Sequence, residues 1–380
     1  MSPGKKQNTN IFKYFILFIV PCIWGSYTPL VKGLYTPSTV PIAPPTIIFN
    51  LLSYLVSFTT LSLLSLVISQ NDTTGKDSSA NMSIDEINNK GSNNLNVDSS
   101  LKRIPLETTA GIELGLYLFL GSSLQVIGIQ GTSALHASIL VQLTTVIVPL
   151  LDRFLSKSNM SSSLLFSCAM GLLGVFFVAS DSGDAIANEM TNVGIFHTLR
   201  SLSPSTFNTG DLVVCTAAIF YSLHIVRLNS VAKRVSPIKL GKVKSLTELI
   251  TSLILLVAYM LYSFAISEGG SSSNEINEYF QNIFNSGESN LFSSGNVYVI
   301  GAILWNGMFA TALTVWAQTI GQQFVSATTA NLIYSSQPIF AAVFSFAFFG
   351  STHFSTNFII GAAFLIISIF SALSRQDDLK

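Results

Sequence analysis

Three ionisable side chains stand within long apolar stretches, where a charge is costly. Arg227 and Glu248 occupy two consecutive apolar segments, and His224 precedes Arg227 by three residues, close to the same face of a helix. Charged groups inside a bilayer usually pair or serve a function. Two interpretations stay open: Arg227 and Glu248 form a structural ion pair between helices, or they act in gating or proton coupling together with His224, which titrates near neutral pH.

A second set of residues combines hydrogen-bonding and aromatic side chains. Asn331, Tyr334 and Gln337 recur at three-residue spacing, which predicts one face of a single helix. Aromatic rings can stack against a flat organic solute, although polar residues also hold membrane helices together and tryptophans also anchor them at the interface. The predicted cavity residues are Trp24, Tyr27, His136, Gln142, Thr145, Trp305, Trp316, Asn331, Tyr334 and Gln337.

Patterns typical of enzymes do not occur in the sequence. There is no Ser/His/Asp order, HExxH motif, Walker loop or glycine-rich dinucleotide turn. Cys22, Cys168 and Cys215 are far apart and lie in apolar runs, so neither a disulfide scaffold nor a zinc site is predicted. We therefore expect no catalytic activity, no cofactor and no metal.

The composition predicts a membrane protein. Of 380 residues, 10% are charged and 49% hydrophobic, whereas soluble proteins carry about 25% charged residues. The net charge is zero, so the chain has no basic field for nucleic acid.

The elements that position these side chains are apolar segments of about 20 residues, the length of a transmembrane helix. We predict an all-α integral membrane protein with ten such helices. They run approximately over 11–31, 46–69, 110–129, 133–155, 162–180, 210–230, 246–266, 297–317, 325–350 and 355–373.

Polar stretches divide the chain. The sequence predicts an N-terminal tail (1–10), a first five-helix unit (11–180) with a disordered Asn/Ser-rich loop (70–107), a linker (181–209), and a second unit (210–374) with an acidic loop (267–295). With the N-terminus inside, all of the 19 Lys and Arg except Lys32 and Arg200 fall on the cytoplasmic side. This asymmetry predicts that both termini are cytoplasmic.

An internal repeat connects the two units. The segments GIQGTSALHA (128–137) and GQQFVSATTA (321–330) share five identities at an offset of 193, and each joins the third and fourth helices of its unit. Because five is odd, the second unit enters the membrane upside down. Inverted repeats of this kind surround a central cavity in secondary transporters.

Three segments carry a resemblance to a known family. They are IWGSYTPLVKG (23–33), GDLVVCTAAIFYSLHIVRL (210–228) and ALTVWAQTIGQQFVSATTANLIYSSQPIFAAVFSFAFFG (312–350). The chain resembles the drug/metabolite transporter superfamily, EamA-like branch, and is most similar to plant plastid-type members. The resemblance implies a ten-helix carrier whose central cavity faces alternately in and out. One departure is Ser351 after Gly350, where the family often has Glu.

The expected function is secondary transport of a small organic metabolite. The cavity candidates are mostly neutral and the last three helices contain no Lys or Arg, which favours an amphiphilic or zwitterionic cargo over a phosphorylated sugar. Alternatives are a non-transporting scaffold or sensor, and a sugar-phosphate or nucleotide-sugar exchanger. Expected partners are a small-molecule substrate and the lipid bilayer. A coupling proton and a homodimer stay open, and the plastid envelope, plasma membrane and internal membranes are all compatible locations.

The orientation yields a first prediction. Asn71, Asn81 and Asn159 each begin an Asn-x-Ser/Thr glycosylation acceptor, and all three are placed on the cytoplasmic side. We expect them to be unmodified when the protein is expressed in a eukaryotic membrane. Removal of glycans should leave the electrophoretic mobility unchanged, and a mobility shift traced to any of these sites would contradict the orientation.

Overall fold

The computed structural model describes residues 3–35, 38–41, 43–74, 105–131, 140–156, 162–181, 208–267, 276, 279, 294–349 and 356–378. This part of the chain is helical and contains no strand. Several predictions lie outside it: His136, the acceptors Asn81 and Asn159, the Gly350–Ser351 departure, and nearly all of the three long polar stretches.

Twelve α-helices and one π-helix make up the described part. They are α1 (Pro3–Leu34), α2 (Thr46–Thr74), α3 (Leu106–Gly131), α4 (Thr144–Ser156), α5 (Ser162–Asp181), α6 (Thr209–Ala232), α7 (Pro237–Ser267), α8 (Ser294–Trp305), the π-helix (Asn306–Leu313), α9 (Thr314–Gly321), α10 (Ala327–Tyr334), α11 (Gln337–Phe349) and α12 (Thr356–Asp378). The segment from α8 through the π-helix to α9 is continuous.

Six of the described helical stretches are long and apolar enough to cross a membrane. They are Thr46–Ile68, Leu106–Gly128, Thr209–Ala232, Pro237–Ser263, Gly295–Gly321 and Thr356–Ser374. Phe15–Val31 and Ser162–Val178 are shorter apolar helices. The fourth and ninth predicted segments do not qualify because each is interrupted.

The seventh predicted helix begins earlier than the sequence suggested. The expected start was residue 246, because three lysines precede it, but α7 starts at Pro237, a residue that fits the first turn of a helix because its missing N–H has no helical partner there. Glu248 therefore lies eleven residues into the helix, about 16 Å along its axis. On the predicted bounds, Glu248 would lie only two residues into this helix.

The helix ends of four elements in the two halves agree to within five residues when 193 is subtracted from the second half. α11 then covers 144–156, the bounds of α4; α7 covers 44–74, against 46–74 for α2; and α12 covers 163–185, against 162–181 for α5. The continuous segment from α8 to α9 covers 101–128, against 106–131 for α3.

The packing of the helices is also mirrored. α3 packs against α6 and α7, while the α8–α9 segment packs against α1 and α2. α4 contacts α6, and α11 contacts α1. The pairs α2–α7 and α5–α12 each join corresponding elements of the two halves. These main contacts in one half thus have counterparts in the other.

Glycines bring α5 and α12 into backbone contact. A Cβ added to Gly361 would lie 2.7 Å from the carbonyl oxygen of Gly174, and one added to Gly174 would lie 2.8 Å from that of Gly361. Small residues allow membrane helices to approach this closely. The seam leaves no room for even a methyl group.

Replacement of Gly361 by Ala should therefore destabilise the protein, by about 1–3 kcal/mol of overpacking. The matched control is Gly301→Ala in α8, where a Cβ meets no atom within 4 Å and Ala is the better helix former. Thermal unfolding of the purified variants measures both effects. A Gly361→Ala variant as stable as Gly301→Ala would contradict this account of the seam.

Candidate functional site

The ninth predicted helix is broken near its middle. α10 ends at Tyr334, and α11 begins at Gln337 after Ser335 and Ser336. Pro338 has no N–H to donate to the carbonyl of Tyr334, so the helix cannot continue regularly. The Ser335 hydroxyl donates to the Asn331 carbonyl at 3.0 Å, and the Ser336 hydroxyl donates to the Ile333 carbonyl at 2.7 Å. Each of these carbonyls also accepts the backbone N–H of the same serine, so the two hydroxyls are satisfied within the last turn and the Tyr334 carbonyl is the one that Pro338 leaves without its helical donor.

The fourth predicted helix has a break at the corresponding place. Residues 142 and 143 form a turn before α4, and they lie 193 positions before Ser335 and Ser336. The two breaks meet: the Thr145 and Ser335 hydroxyl oxygens are hydrogen-bonded at 3.3 Å, and both residues are buried. Paired interruptions in corresponding spans are the best sequence-level sign of a transporter's binding site.

Polar atoms of α10, and of Gln322 at the end of α9, have unused hydrogen-bonding capacity. The hydroxyl oxygen of Thr328, the side-chain nitrogen of Asn331 and the side-chain oxygen of Gln322 are buried and have no partner. Gln322 Nε2 donates to the Tyr334 hydroxyl at 3.3 Å. Trp24 meets the Tyr334 ring edge-on, with a centroid distance of 5.6 Å. We call Gln322, Thr328, Asn331, Tyr334 and Trp24 the break cluster.

Several predicted cavity residues come together here. Asn331, Tyr334 and Trp24 belong to the break cluster, Thr145 bridges the two breaks, and Gln142 and Gln337 flank them. The prediction of one helix face for Asn331, Tyr334 and Gln337 was wrong. Gln337 starts a new helix, because Pro338 cannot continue the helix that ends at Tyr334.

One of the other predicted aromatic residues adjoins the break cluster and two pack elsewhere. Trp316 packs against the buried hydrophobic residues that include Leu17 and Tyr334, as Trp24 does. Trp305 donates through Nε1 to the Ser26 hydroxyl at 3.0 Å and is 36% exposed on the bundle surface. Tyr27 packs against the cluster of Leu34 and its neighbours.

The predicted ion pair between Arg227 and Glu248 does not form. Arg227 Nε instead donates to Glu113 Oε2 at 2.7 Å, and the Tyr117 hydroxyl donates to Glu113 Oε1 at 3.0 Å. The reason is architectural, since α3 packs against both α6 and α7 and presents Glu113 to Arg227. Arg227 is therefore a link between α3 and α6.

Glu248 instead neighbours Lys244, one turn earlier on α7. Lys244 Nζ lies 3.8 Å from Glu248 Oε1, and their side chains are 3% and 0% exposed. Neither carboxylate oxygen of Glu248 has a hydrogen-bond partner. Lys244 was assigned to a cytoplasmic loop, and that assignment was wrong because the helix starts at Pro237.

Polar side chains of three other helices surround this pair. Tyr54 of α2 hydrogen-bonds to Ser122 of α3 and lies within electrostatic range of Glu248. On α6, the Tyr221 hydroxyl donates to Gln125 Oε1 at 2.7 Å, and His224 is buried within electrostatic range of Lys244. The charged centre, as we call it, comprises Tyr54, Ser122, Gln125, Tyr221, His224, Lys244 and Glu248.

Sequence reasoning missed most of the charged centre. The spacing of Lys244 and Glu248 by four residues was a usable signal, because such residues face each other on a helix. Tyr54, Ser122, Gln125 and Tyr221 gave no comparable signal.

Helix α1 connects the two polar groups. Trp24 contacts Tyr334 of the break cluster. Tyr27, three residues later and on a similar face, is within electrostatic range of Tyr54 and Tyr221. The break cluster and the charged centre thus adjoin the same stretch of α1.

Comparison with known proteins addresses the second half directly. Residues 208–374 match the model of the EamA-like transporter family. This segment is similar to members of that family. The EamA-like segment contains the charged residues Lys244 and Glu248 and most of the break cluster, and it falls in the drug/metabolite transporter superfamily. Similarity to the plant plastid-type members stays a prediction.

A solved structure shares the fold over almost the whole chain. This structure, described only as "Crystal structure of protein", matches with a TM-score of 0.61 at 14% sequence identity, covering 97% of this chain and 98% of its own. No curated protein matches the chain. The similarity extends the shared architecture to the first half, which the family model does not cover.

The link between α3 and α6 can be tested by exchanging its charges. Glu113→Arg should lower the melting temperature, because two cations would then face each other, and Arg227→Glu should do the same with two anions. The double exchange should recover most of the loss. Both side chains are about one-third exposed, so the loss is modest. Additive losses in the double variant would rule out the pairing.

Proposed function

We propose that the protein is a secondary transporter that moves a small organic metabolite by alternating access. The matched breaks at 142–143 and 335–336, joined through Thr145 and Ser335, carry this proposal. A break inside a membrane-spanning helix is tolerated where it is covered by protein or lines a cavity. A pair of breaks in corresponding positions is typical of secondary transporters.

The proposed architecture has ten spans in two inverted five-helix units, 11–180 and 210–374, with both termini cytoplasmic. The mirrored helix ends and mirrored packing support the repeat. The family match begins at residue 208, two residues before the second unit. The distribution of Lys and Arg supports the orientation.

The breaks also provide the means to bind a solute. Interrupted helices direct partial charges into the bundle, positive at the N-terminal ends of α4 and α11 and negative at the C-terminal end of α10. Thr328, Asn331 and Gln322 add polar atoms without partners, and Trp24 and Tyr334 add aromatic surface. A small solute with polar groups and an apolar body would satisfy these features.

The charge distribution restricts the cargo. The break cluster is neutral, and no Lys or Arg occurs from the start of α8 to Ser374. A multiply charged phosphate would have no cation opposite it there. We therefore expect a cargo with little net charge.

Uptake of a metabolite extract into proteoliposomes, analysed by mass spectrometry, tests transport of many candidate cargoes at once. Empty liposomes provide the background. With a solute identified, Thr328→Val should reduce its uptake about tenfold, since one hydrogen bond contributes about 1.5 kcal/mol. The stability should not fall, because the deleted hydroxyl has no partner in the fold.

Thr319→Val is the matched control. The Thr319 hydroxyl is buried but donates to the Val315 carbonyl at 2.7 Å, so its removal should leave uptake close to wild type. Equal uptake by the two variants would remove Thr328 from the site. Failure of every metabolite to enter above background would overturn the proposal of transport.

A further inference from the structure

We propose that Lys244 and Glu248 together bind the charged groups of a zwitterionic solute that carries one ammonium and one carboxylate. Glu248 would accept the ammonium and Lys244 would donate to the carboxylate. This inference rests on the proposed transport function and narrows its cargo to one chemical class.

The first argument is the unused bonding capacity of Glu248. A carboxylate offers about four acceptor positions. Yet both Glu248 oxygens lack a hydrogen-bond partner, and Lys244 Nζ, 3.8 Å from Oε1, is beyond hydrogen-bonding distance. The nearby hydroxyls bond elsewhere: Ser245 pairs with Ser57 at 2.8 Å, and Thr251 donates to the Thr247 carbonyl at 2.8 Å.

The second argument is that the pair contributes little to the stability of the fold. Lys244 and Glu248 lie on one helix, so their attraction does not join two helices as the Arg227–Glu113 bond does. Replacement of such a buried pair by apolar residues is often neutral or stabilising. The fold therefore gains little from these two charges.

The third argument is charge balance. The pair is neutral overall when both groups are ionised. A cation bound to Glu248 would leave Lys244 unpaired, and an anion bound to Lys244 would leave Glu248 unpaired, which is costly in a membrane. A zwitterion pairs both charges at once. The zwitterion therefore binds between Lys244 and Glu248 without adding net charge to the bundle.

The surroundings fit this role. Glu248 lies near the middle of the span Pro237–Ser263, beside Tyr54 of α2. The Lys244 side chain has a flexible four-carbon stem, so it can separate from Glu248 to admit a solute. Leu51 and Leu55 stand 193 positions earlier in α2, so the corresponding places in the first half carry no charge.

The test uses wild-type protein in proteoliposomes and two sets of probes. The first set is β-alanine, ethylamine and propanoate; the second is phenylalanine, phenethylamine and phenylpropanoate. Each set compares a zwitterion with analogues that lack one charge. The solutes accumulated from the metabolite extract are also sorted by charge.

We expect the accumulated solutes to be zwitterions. Glu248→Gln should reduce zwitterion uptake at least tenfold and shift preference towards carboxylate-only solutes, because Lys244 then stands alone. Lys244→Met should shift preference towards ammonium-only solutes. Glu107→Gln, the same change in the first turn of α3, is the control and should preserve both rate and preference.

The possible results separate the two proposals. Accumulation of uncharged or singly charged solutes, with zwitterions excluded, overturns the role of the pair and leaves transport intact. A loss of stability in both variants with unchanged preference among solutes also overturns it, because that result indicates a structural role. Absence of any uptake overturns transport itself.

Discussion

The structure depends on one constraint: a backbone N–H or carbonyl inside a bilayer has no water to bond with and must find a partner in the protein. Continuous helices meet this requirement by themselves. Where α10 stops before Pro338, the Tyr334 carbonyl loses its helical donor, while the hydroxyls of Ser335 and Ser336 bond to carbonyls in the last turn. The interruption thus places a free backbone carbonyl in the middle of an otherwise apolar bundle, where a polar solute could bond to it.

The same constraint makes unpartnered side chains informative. Buried hydroxyls such as those of Thr314 and Thr319 donate to a carbonyl of their own helix. Thr328, Asn331 and Glu248 keep buried polar atoms without partners. Such atoms lower the stability of a resting fold, so two of them on one short helix and an unpartnered buried acid are difficult to explain by packing alone.

Sequence reasoning located the apolar segments well because their length and hydrophobicity are local properties. It also selected Asn331, Tyr334 and Thr145, since polar residues in an apolar run stand out. It failed where the outcome depended on which helices are neighbours. Arg227 pairs with Glu113 because α3 packs against both α6 and α7, and no pattern in the sequence shows that packing. The start of the seventh helix was placed too late, at residue 246, although helix α7 begins at Pro237 and includes the lysines before that residue.

The contact between α5 and α12 has a mechanical consequence. Where the backbones touch at Gly174 and Gly361, no side chain lies between them, and Val178 and Leu365 pack beside the contact. Sliding one helix along the other would bring a carbonyl against the neighbouring Cα atoms instead of into a new side-chain groove. These two helices therefore behave as one rigid unit. Any rearrangement that opens the bundle must bend or tilt the other helices relative to α5 and α12, and the breaks in the fourth and ninth predicted segments are suited to that bending.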